Sequence, residues 1–177
     1  MIKPSIGSKI IWSSSLYKLY LARGKIEDIK LTPPDPWPGD PILGESIFQG
    51  NYNLAGQTVH FSNLPVWFPP NMNEEWITDL HSFSWLRHLR AKSGSLARKH
   101  ARGIISNWIN NNGSWNDFSW RADILSRRVS AWLSNAGFLF AEKDEKFYMK
   151  FKKITIIFYQ IIFLQKKWCV DRSTTNK

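Results

Sequence analysis

The chain has 177 residues, of which 43% are hydrophobic and 21% are charged, so it is long enough for one domain and too apolar for a chain that stays unfolded. Its net charge of +10 favours an acidic partner, although charge alone does not separate nucleic acid, anionic lipid and anionic polysaccharide. Aromatic residues make up 15% of the chain, which predicts rings that pack between helices or stack on flat ligands.

The first 72 residues are predicted to form one helix, a proline-rich segment and a small β-hairpin. Met1–Ala22 has apolar residues at helical spacing. Leu31–Gly44 and Pro65–Pro70 are rich in proline, which removes backbone donors and predicts rigid, extended segments. Each contains a tryptophan, Trp37 or Trp67, that is expected to hold it to the body of the protein. The strands predicted for the hairpin are Ser46–Phe48 and Thr58–Phe61.

Residues 73–168 are predicted to be helical, and residues 169–177 form a divergent tail. Apolar residues recur there at spacings of three and four, which is typical of amphipathic helices. Short turns between successive helices predict antiparallel helical hairpins. The four predicted helices are Asn73–Ser93, about Ser95–Asn110, about Trp120–Phe140 and one that begins near Lys143.

Three stretches of the chain are similar to one family of bacterial proteins. They are PPDPWPGD at Pro33–Asp40 with AGQT at Ala55–Thr58, LHSFSWLRHLRA within Trp76–Ala91, and WNDFSWRADILSRRVSAWL at Trp115–Leu133. Together they resemble the amino-terminal region of heparinase II/III-like polysaccharide lyases, over roughly Trp12 to Trp168.

The resemblance implies a mainly α fold, an incomplete (α/α) toroid of antiparallel helical hairpins. It also implies a parent enzyme that binds and cleaves acidic polysaccharide by β-elimination. In that reaction a base removes a proton next to a uronate, and positive groups stabilise the enolate. In the family the catalytic residues lie in later toroid helices, and a β-sandwich follows. Neither region is recognised in this sequence, so the chain is expected to be truncated, inactive and without a catalytic residue.

Six residues are predicted to bind the acidic polysaccharide. Arginine can hold a carboxylate by two parallel hydrogen bonds, and a tryptophan ring can stack on a sugar face. In the alternative interpretation Trp132 lies in the core, and Arg128 bonds to a carbonyl or to Asp123. The predicted substrate-binding residues are Trp85, Arg87, Trp120, Arg121, Arg128 and Trp132.

Three features near these residues have structural alternatives as well. In the WLRHLR stretch, Trp85 can belong to a buried stripe while the arginines face water. His81 could act as a base, although a lone helical histidine is more often structural. The basic run Arg98–Arg102 is more typical of a solvated helix face than of a binding site. Because the chain has one cysteine and no histidines at metal-binding spacing, neither a metal nor a cofactor is predicted.

A basic nucleic-acid-binding protein is the alternative function, supported by charge and aromatic content. No nucleic acid partner is expected, however, since no helix-turn-helix, RNP or zinc pattern is present. Ile154–Leu164 is 11 residues long, whereas a spanning helix needs about 20, so no membrane span is predicted. Ser13–Ser15 interrupt the first apolar stretch, so no signal peptide is expected and the cytoplasm is the default compartment. An incomplete toroid leaves helix faces unpaired, which predicts self-association.

Overall fold

The computed structural model describes residues 33–158. Within this range the chain is mainly helical with one small antiparallel sheet, which confirms the predicted mainly α class. Met1–Ala22 and residues 169–177, for which predictions were made, lie outside the described residues. The helices are α1 Pro41–Phe48, α2 Glu74–Ser82, α3 Leu86–Lys92, α4 Gly94–Asn112, α5 Ala122–Ser134, α6 Ala136–Leu139 and α7 at 145–158, and the strands are β1 Asn51–Leu54 and β2 Gln57–His60.

Helix α1 begins inside the segment that was predicted to be extended. The Asp40 carboxylate accepts hydrogen bonds from the backbone N–H groups of Ile42 (2.8 Å) and Leu43 (3.4 Å). Pro41 occupies the first turn of α1, where backbone N–H groups have no partner within the helix, so the N–H that proline lacks is not needed. Its fixed φ also suits a helix. The prediction of an extended backbone up to Gly44 is therefore wrong from Pro41 onwards. The aspartate before Pro41 caps the helix, and this local signal outweighs the proline content of the segment.

Glycines bring α1 and the segment before it close to α3. A Cβ atom at Gly44 would lie 2.1 Å from the carbonyl oxygen of His88, and one at Gly39 would lie 2.2 Å from that of Arg87. The Asp40 N–H donates to His88 Nδ1 at 2.9 Å. These contacts hold the segment to the body of the protein. The anchor predicted for this role, Trp37, is 65% exposed, so that prediction is wrong.

The β-hairpin is present, but its first strand differs from the predicted one. Ser46–Phe48 is helical, and β1 instead pairs with β2 in a register that runs from Asn51 opposite His60 to Leu54 opposite Gln57. Ala55 and Gly56 connect the strands with φ angles of 45° and 75°, as required by a two-residue turn that matches the strand twist. Helix α1 thus occupies the residues predicted as the first strand, and β1 begins after it, at Asn51.

The predicted helix from Asn73 to Ser93 is two helices. Asn73 caps α2 as predicted, because its side chain accepts the Trp76 N–H at 2.8 Å. The helix ends at Ser82, since Phe83 adopts a left-handed φ of 58°. That conformation is unfavourable for a large side chain, and the Phe83 ring is fully buried and stacked on Trp85 with centroids 5.1 Å apart. Core packing therefore overrides the helical periodicity here.

Replacing Asn73 with alanine should lower the free energy of unfolding by about 1 kcal/mol, because the Trp76 N–H loses its acceptor. Urea unfolding followed by circular dichroism would measure the change. Asn53→Ala, at an exposed position of β1, is the matched control and should change the stability by less than about 0.5 kcal/mol. Equal effects of both substitutions would contradict the capping role.

The helices meet around one aromatic core. The most extensive helix contacts join α1 to α3 and α2 to α5, and successive helices meet at α3–α4 and α5–α6. The Trp108 ring of α4 lies at the centre, with ring centroids of Trp67, Phe83, Trp132 and Phe158 within 6.5 Å. Across residues 33–158, no helix is both long enough and apolar enough to span a membrane.

Candidate functional site

The six residues predicted to bind substrate do not lie on one surface. Trp85, Trp120, Arg128 and Trp132 are each at most 4% exposed. Arg87 and Arg121 are partly exposed. The four buried side chains contribute to the core between α2, α4 and α5, and a polymer in solution has no access to them in this conformation. The substrate-binding role of these residues remains a prediction. The contacts observed for the four buried side chains are with other residues of the core.

Arg128 is fully buried and is held by carbonyl oxygens and aromatic faces. Its guanidinium donates to the carbonyl of His81 (3.2 Å) and to that of Ser119 (3.0 Å). It also lies over the Trp108 ring at 3.9 Å and over the Phe158 ring at 4.8 Å. Burial lowers the pKa of Arg128, while these acceptors and ring faces favour its charged form. The structural alternative, in which Arg128 bonds to carbonyl groups, is confirmed.

His81 is buried beside Arg128 and makes two hydrogen bonds through its ring. The Trp108 indole N–H donates to His81 Nδ1 at 3.0 Å, and His81 Nε2 lies 2.9 Å from the carbonyl oxygen of Trp67. An indole nitrogen can only donate, so Nδ1 must be an acceptor and Nε2 must carry the proton. Burial, the main cause, and the nearby Arg128 charge together lower the pKa of His81 to about 4, although the hydrogen bond to the Trp67 carbonyl acts in the opposite direction. His81 is therefore neutral at pH 7, and both of its ring nitrogens are already engaged.

The indole nitrogens of two predicted binding residues are also engaged inside the protein. Trp85 donates to the carbonyl of Leu80 at 3.1 Å, and Trp120 donates to that of Asn112 at 2.8 Å. Each indole thus satisfies a carbonyl near the C-terminal end of a helix, where helical partners are missing. The prediction that Trp85 belongs to a buried stripe is confirmed.

Arg87 and Arg121 hold neighbouring elements together. Arg87 Nε donates to the carbonyl of Ser84 at 2.8 Å and lies 3.7 Å from the Asp35 carboxylate. Arg121 forms ion pairs with Glu74 and Asp123. The pKa of Asp123 is lowered, first of all by its hydrogen bond from Arg121. These two arginines are the accessible members of the predicted set, and each already has acidic partners.

The basic run of α4 binds the end of α6 and the residues that follow it. Arg98 Nε donates to the carbonyl of Phe138 at 2.9 Å, and Arg102 Nε donates to that of Leu139 at 2.7 Å. Both also pair with carboxylates, of Glu142 and Asp144 respectively. The prediction of a solvated face is therefore wrong for these two arginines, which bind the C-terminal end of α6.

Little of the net charge resides in the described part of the chain. Residues 33–158 contain 14 lysines and arginines and 11 aspartates and glutamates, which leaves +3 of the total +10. At least seven of the 14 cations are in ion pairs, and Arg128 is buried. The described surface therefore carries only a small part of the charge on which the nucleic-acid alternative depended.

Exposed apolar residues also lie close to the buried cluster of His81, Trp108 and Arg128, in the PVWFPP loop, residues Pro65–Pro70. Val66 and Phe68 are 54% and 44% exposed, whereas Trp67 between them is 6% exposed. The Trp67 indole donates to Asn107 Oδ1 at 2.7 Å, so Trp67 anchors the loop as predicted. Within residues 33–158, no group of His, Cys, Asp and Glu side chains could hold a metal ion.

Sequence reasoning missed several residues that organise this cluster. Trp108 contacts both His81 and Arg128, and nothing in the sequence analysis singled it out. His88 was not predicted to have a structural role either, and its ring accepts the Asp40 N–H. Its pKa is lowered, mainly by burial. The spacing of His81 and Trp108 in sequence carries no signal for their contact, because it is made between different helices.

Comparisons with known proteins point away from polysaccharide lyases. No family model matches the chain, and no solved structure matches it. The chain is 30% identical over 135 residues to FtsZ-localized protein C of Caulobacter vibrioides. The match covers 76% of this chain and 23% of the relative, so the chain spans about a quarter of that protein's length.

These findings correct the identification made from the sequence. The assignment to the heparinase II/III-like family is wrong, because the chain matches no model of that family and is similar instead to a protein named for its position with FtsZ. The predicted function, cleavage of acidic polysaccharide by β-elimination, is contradicted together with it. The motifs that suggested the family are local helix and turn patterns. Trp85 and Trp132 of the second and third motifs lie in the core, whereas Trp37 of the first is exposed.

Proposed function

We propose that this chain is a helical module that acts with FtsZ in bacterial cell division. The observation that carries the proposal is the 30% identity over 135 residues with FtsZ-localized protein C. Because 76% of the chain takes part in that match, the similarity extends well beyond any one helix or motif. The module would contribute a folded binding unit to a protein found where FtsZ lies.

The geometry supports a binding module more than a reaction centre. The polar side chains of the cluster, above all His81 and Arg128, are directed at backbone carbonyls and indole rings. The PVWFPP loop is anchored through Trp67 and presents Val66 and Phe68 at the surface. Rigid placement of exposed apolar side chains lowers the entropy lost on binding.

Imaging in Caulobacter vibrioides cells would test this proposal. The full chain, fused to a fluorescent protein, should coincide with FtsZ labelled in a second colour. A fusion of FtsZ-localized protein C serves as the positive control. An even distribution of the chain's fusion, in cells where the positive control coincides with FtsZ, would contradict the proposal.

A matched pair of glycine variants links the localisation to the folded state. Gly44→Val should abolish co-localisation, because a side chain there collides with α3. Gly103→Ala should preserve it, because no atom lies within 4 Å of a Cβ atom at that position. Co-localisation of both variants would show that the signal does not depend on the fold.

For the architecture, we propose that the described helices form one arc of a larger helical assembly, as the predicted toroid requires. The contacts of α3 with α4 and of α5 with α6 support the pairing of successive helices. Helix α1 also contacts α3, and α2 contacts α5, which are contacts between helices that do not follow each other in the chain. A structure of full-length FtsZ-localized protein C would test this arrangement, and separate, unconnected helical units in it would contradict it.

A further inference from the structure

The PVWFPP loop, Pro65–Pro70, contacts the core at the His81 ring, in addition to the hydrogen bond from the Trp67 indole to Asn107 of α4. The loop contributes the Trp67 carbonyl as acceptor, α2 contributes His81, and α4 contributes Trp108 as donor. The rings of Phe68 and Phe118 cover the remaining sides of the imidazole, with centroids 4.8 and 5.9 Å away. Three elements that are distant in sequence thus meet at one neutral histidine.

We propose that His81 is a latch: its neutral ring ties the PVWFPP loop to α4, and proton uptake at Nδ1 opens this tie before the rest of the core unfolds. A proton at Nδ1 removes the acceptor of the Trp108 indole N–H and places two N–H donors opposite each other. The imidazolium would also lie beside the buried guanidinium of Arg128. The ring must then leave its site, and the Trp67 carbonyl loses its donor.

The positive charge of Arg128 repels a proton on the His81 ring, and it lowers the pKa of the imidazole in addition to the effect of burial. The PVWFPP loop itself carries no charged residue. Around the cluster, Arg121 is paired with Glu74 and Asp123, and Arg127 lies 3.9 Å from Asp79. The remaining titratable and charged groups of the packed elements are Glu75 on α2, Arg98, Lys99, His100 and Arg102 in the first half of α4, and Asp117 before α5.

The direction of the pH effect follows from the two states of the ring. Burial holds the pKa of His81 at about 4 in the closed state, against 6.5 for a free histidine. The open state therefore binds more protons between these values, and acid favours opening. As the pH falls from 6.5 to 4, the opening constant should rise by about 80-fold, because each pKa unit corresponds to a factor of ten and both states are half-titrated at one end of this range.

Hydrogen exchange at the indole N–H groups of the full, 15N-tryptophan-labelled chain would test the latch. Trp85 and Trp120 are internal references, because their indoles donate to backbone carbonyls. The exchange rate of Trp108 divided by that of Trp120 should rise as the pH falls from 6.5 to 4, while far-UV circular dichroism stays unchanged. The ratio cancels the intrinsic pH dependence of exchange. A constant ratio, or a simultaneous loss of helicity, would overturn the proposal.

Two variants distinguish the effect of protonating His81 from the effect of acid on other groups of the protein. His81→Gln has no titrating ring and should show a flat ratio between pH 6.5 and 4. His60→Gln, at an exposed position of β2, should retain the rise seen in the unmodified chain. If His81→Gln does not fold, the 15N shifts of the His81 ring in the unmodified chain decide instead. They should report a proton on Nε2 at pH 7, and a proton on Nδ1 would overturn the latch.

Discussion

Arg128→Ala should lower the free energy of unfolding by roughly 3–5 kcal/mol, as expected for truncation of a large, fully buried side chain. The substitution leaves a cavity between the Trp108 and Phe158 rings. It also leaves the carbonyls of His81 and Ser119 without their donors, and unsatisfied buried acceptors are destabilising. The His81 carbonyl is among the last four of α2, so no helical N–H can replace the guanidinium.

Chemical denaturation of three variants would separate packing from charge at this position. Arg128→Met keeps the side-chain volume and removes a buried charge, whose desolvation opposes folding. It should therefore lose less than half as much stability as Arg128→Ala. Arg127→Ala is the matched control, because Arg127 is exposed and its contact with Asp79 is 3.9 Å long; exposed ion pairs contribute about 0–1 kcal/mol. A loss for Arg128→Ala no larger than that for Arg127→Ala would refute the structural role.

Gly44→Val should destabilise the protein by about 3 kcal/mol or more, because overpacking at a site without free volume displaces backbone. The valine Cβ would lie 2.1 Å from the carbonyl oxygen of His88 and 2.9 Å from the Cβ of Lys92. A backbone oxygen cannot move away as the end of a flexible side chain can. Helix α1 would have to leave α3, and the hydrogen bond from Asp40 to His88 would be lost with it.

Gly103→Ala is the matched control in α4, where nothing lies within 4 Å of the added methyl group. It should raise the free energy of unfolding by up to about 1 kcal/mol, because alanine favours helix over glycine. Thermal unfolding of both variants by circular dichroism would show midpoints shifted in opposite directions. Shifts in the same direction would mean that the α1–α3 contact contributes little to stability.

The local features of the candidate site can be predicted from the sequence, whereas the way in which they assemble cannot. The buried stripe containing Trp85 and the cap at Asn73 follow from residue type and spacing, and both are confirmed. The partners of Arg128 are 9 and 47 residues away along the chain, and no periodicity relates them. Burial of Trp37 and Trp67 could not be predicted from sequence either, since both lie among prolines but only Trp67 is buried.

The sequence by itself determined that the chain is mainly helical, where most helices lie, and that one hairpin precedes them. These features depend on interactions between residues close in sequence, such as caps, apolar spacing and turns. The tertiary structure decided that the helix after Asn73 breaks at Phe83, and that α1 packs on α3 through Gly44. It also decided that His81 is neutral and that Arg128 is buried between rings. The physical reason is that helix breaks, close approaches and shifted pKa values depend on groups that only folding brings together.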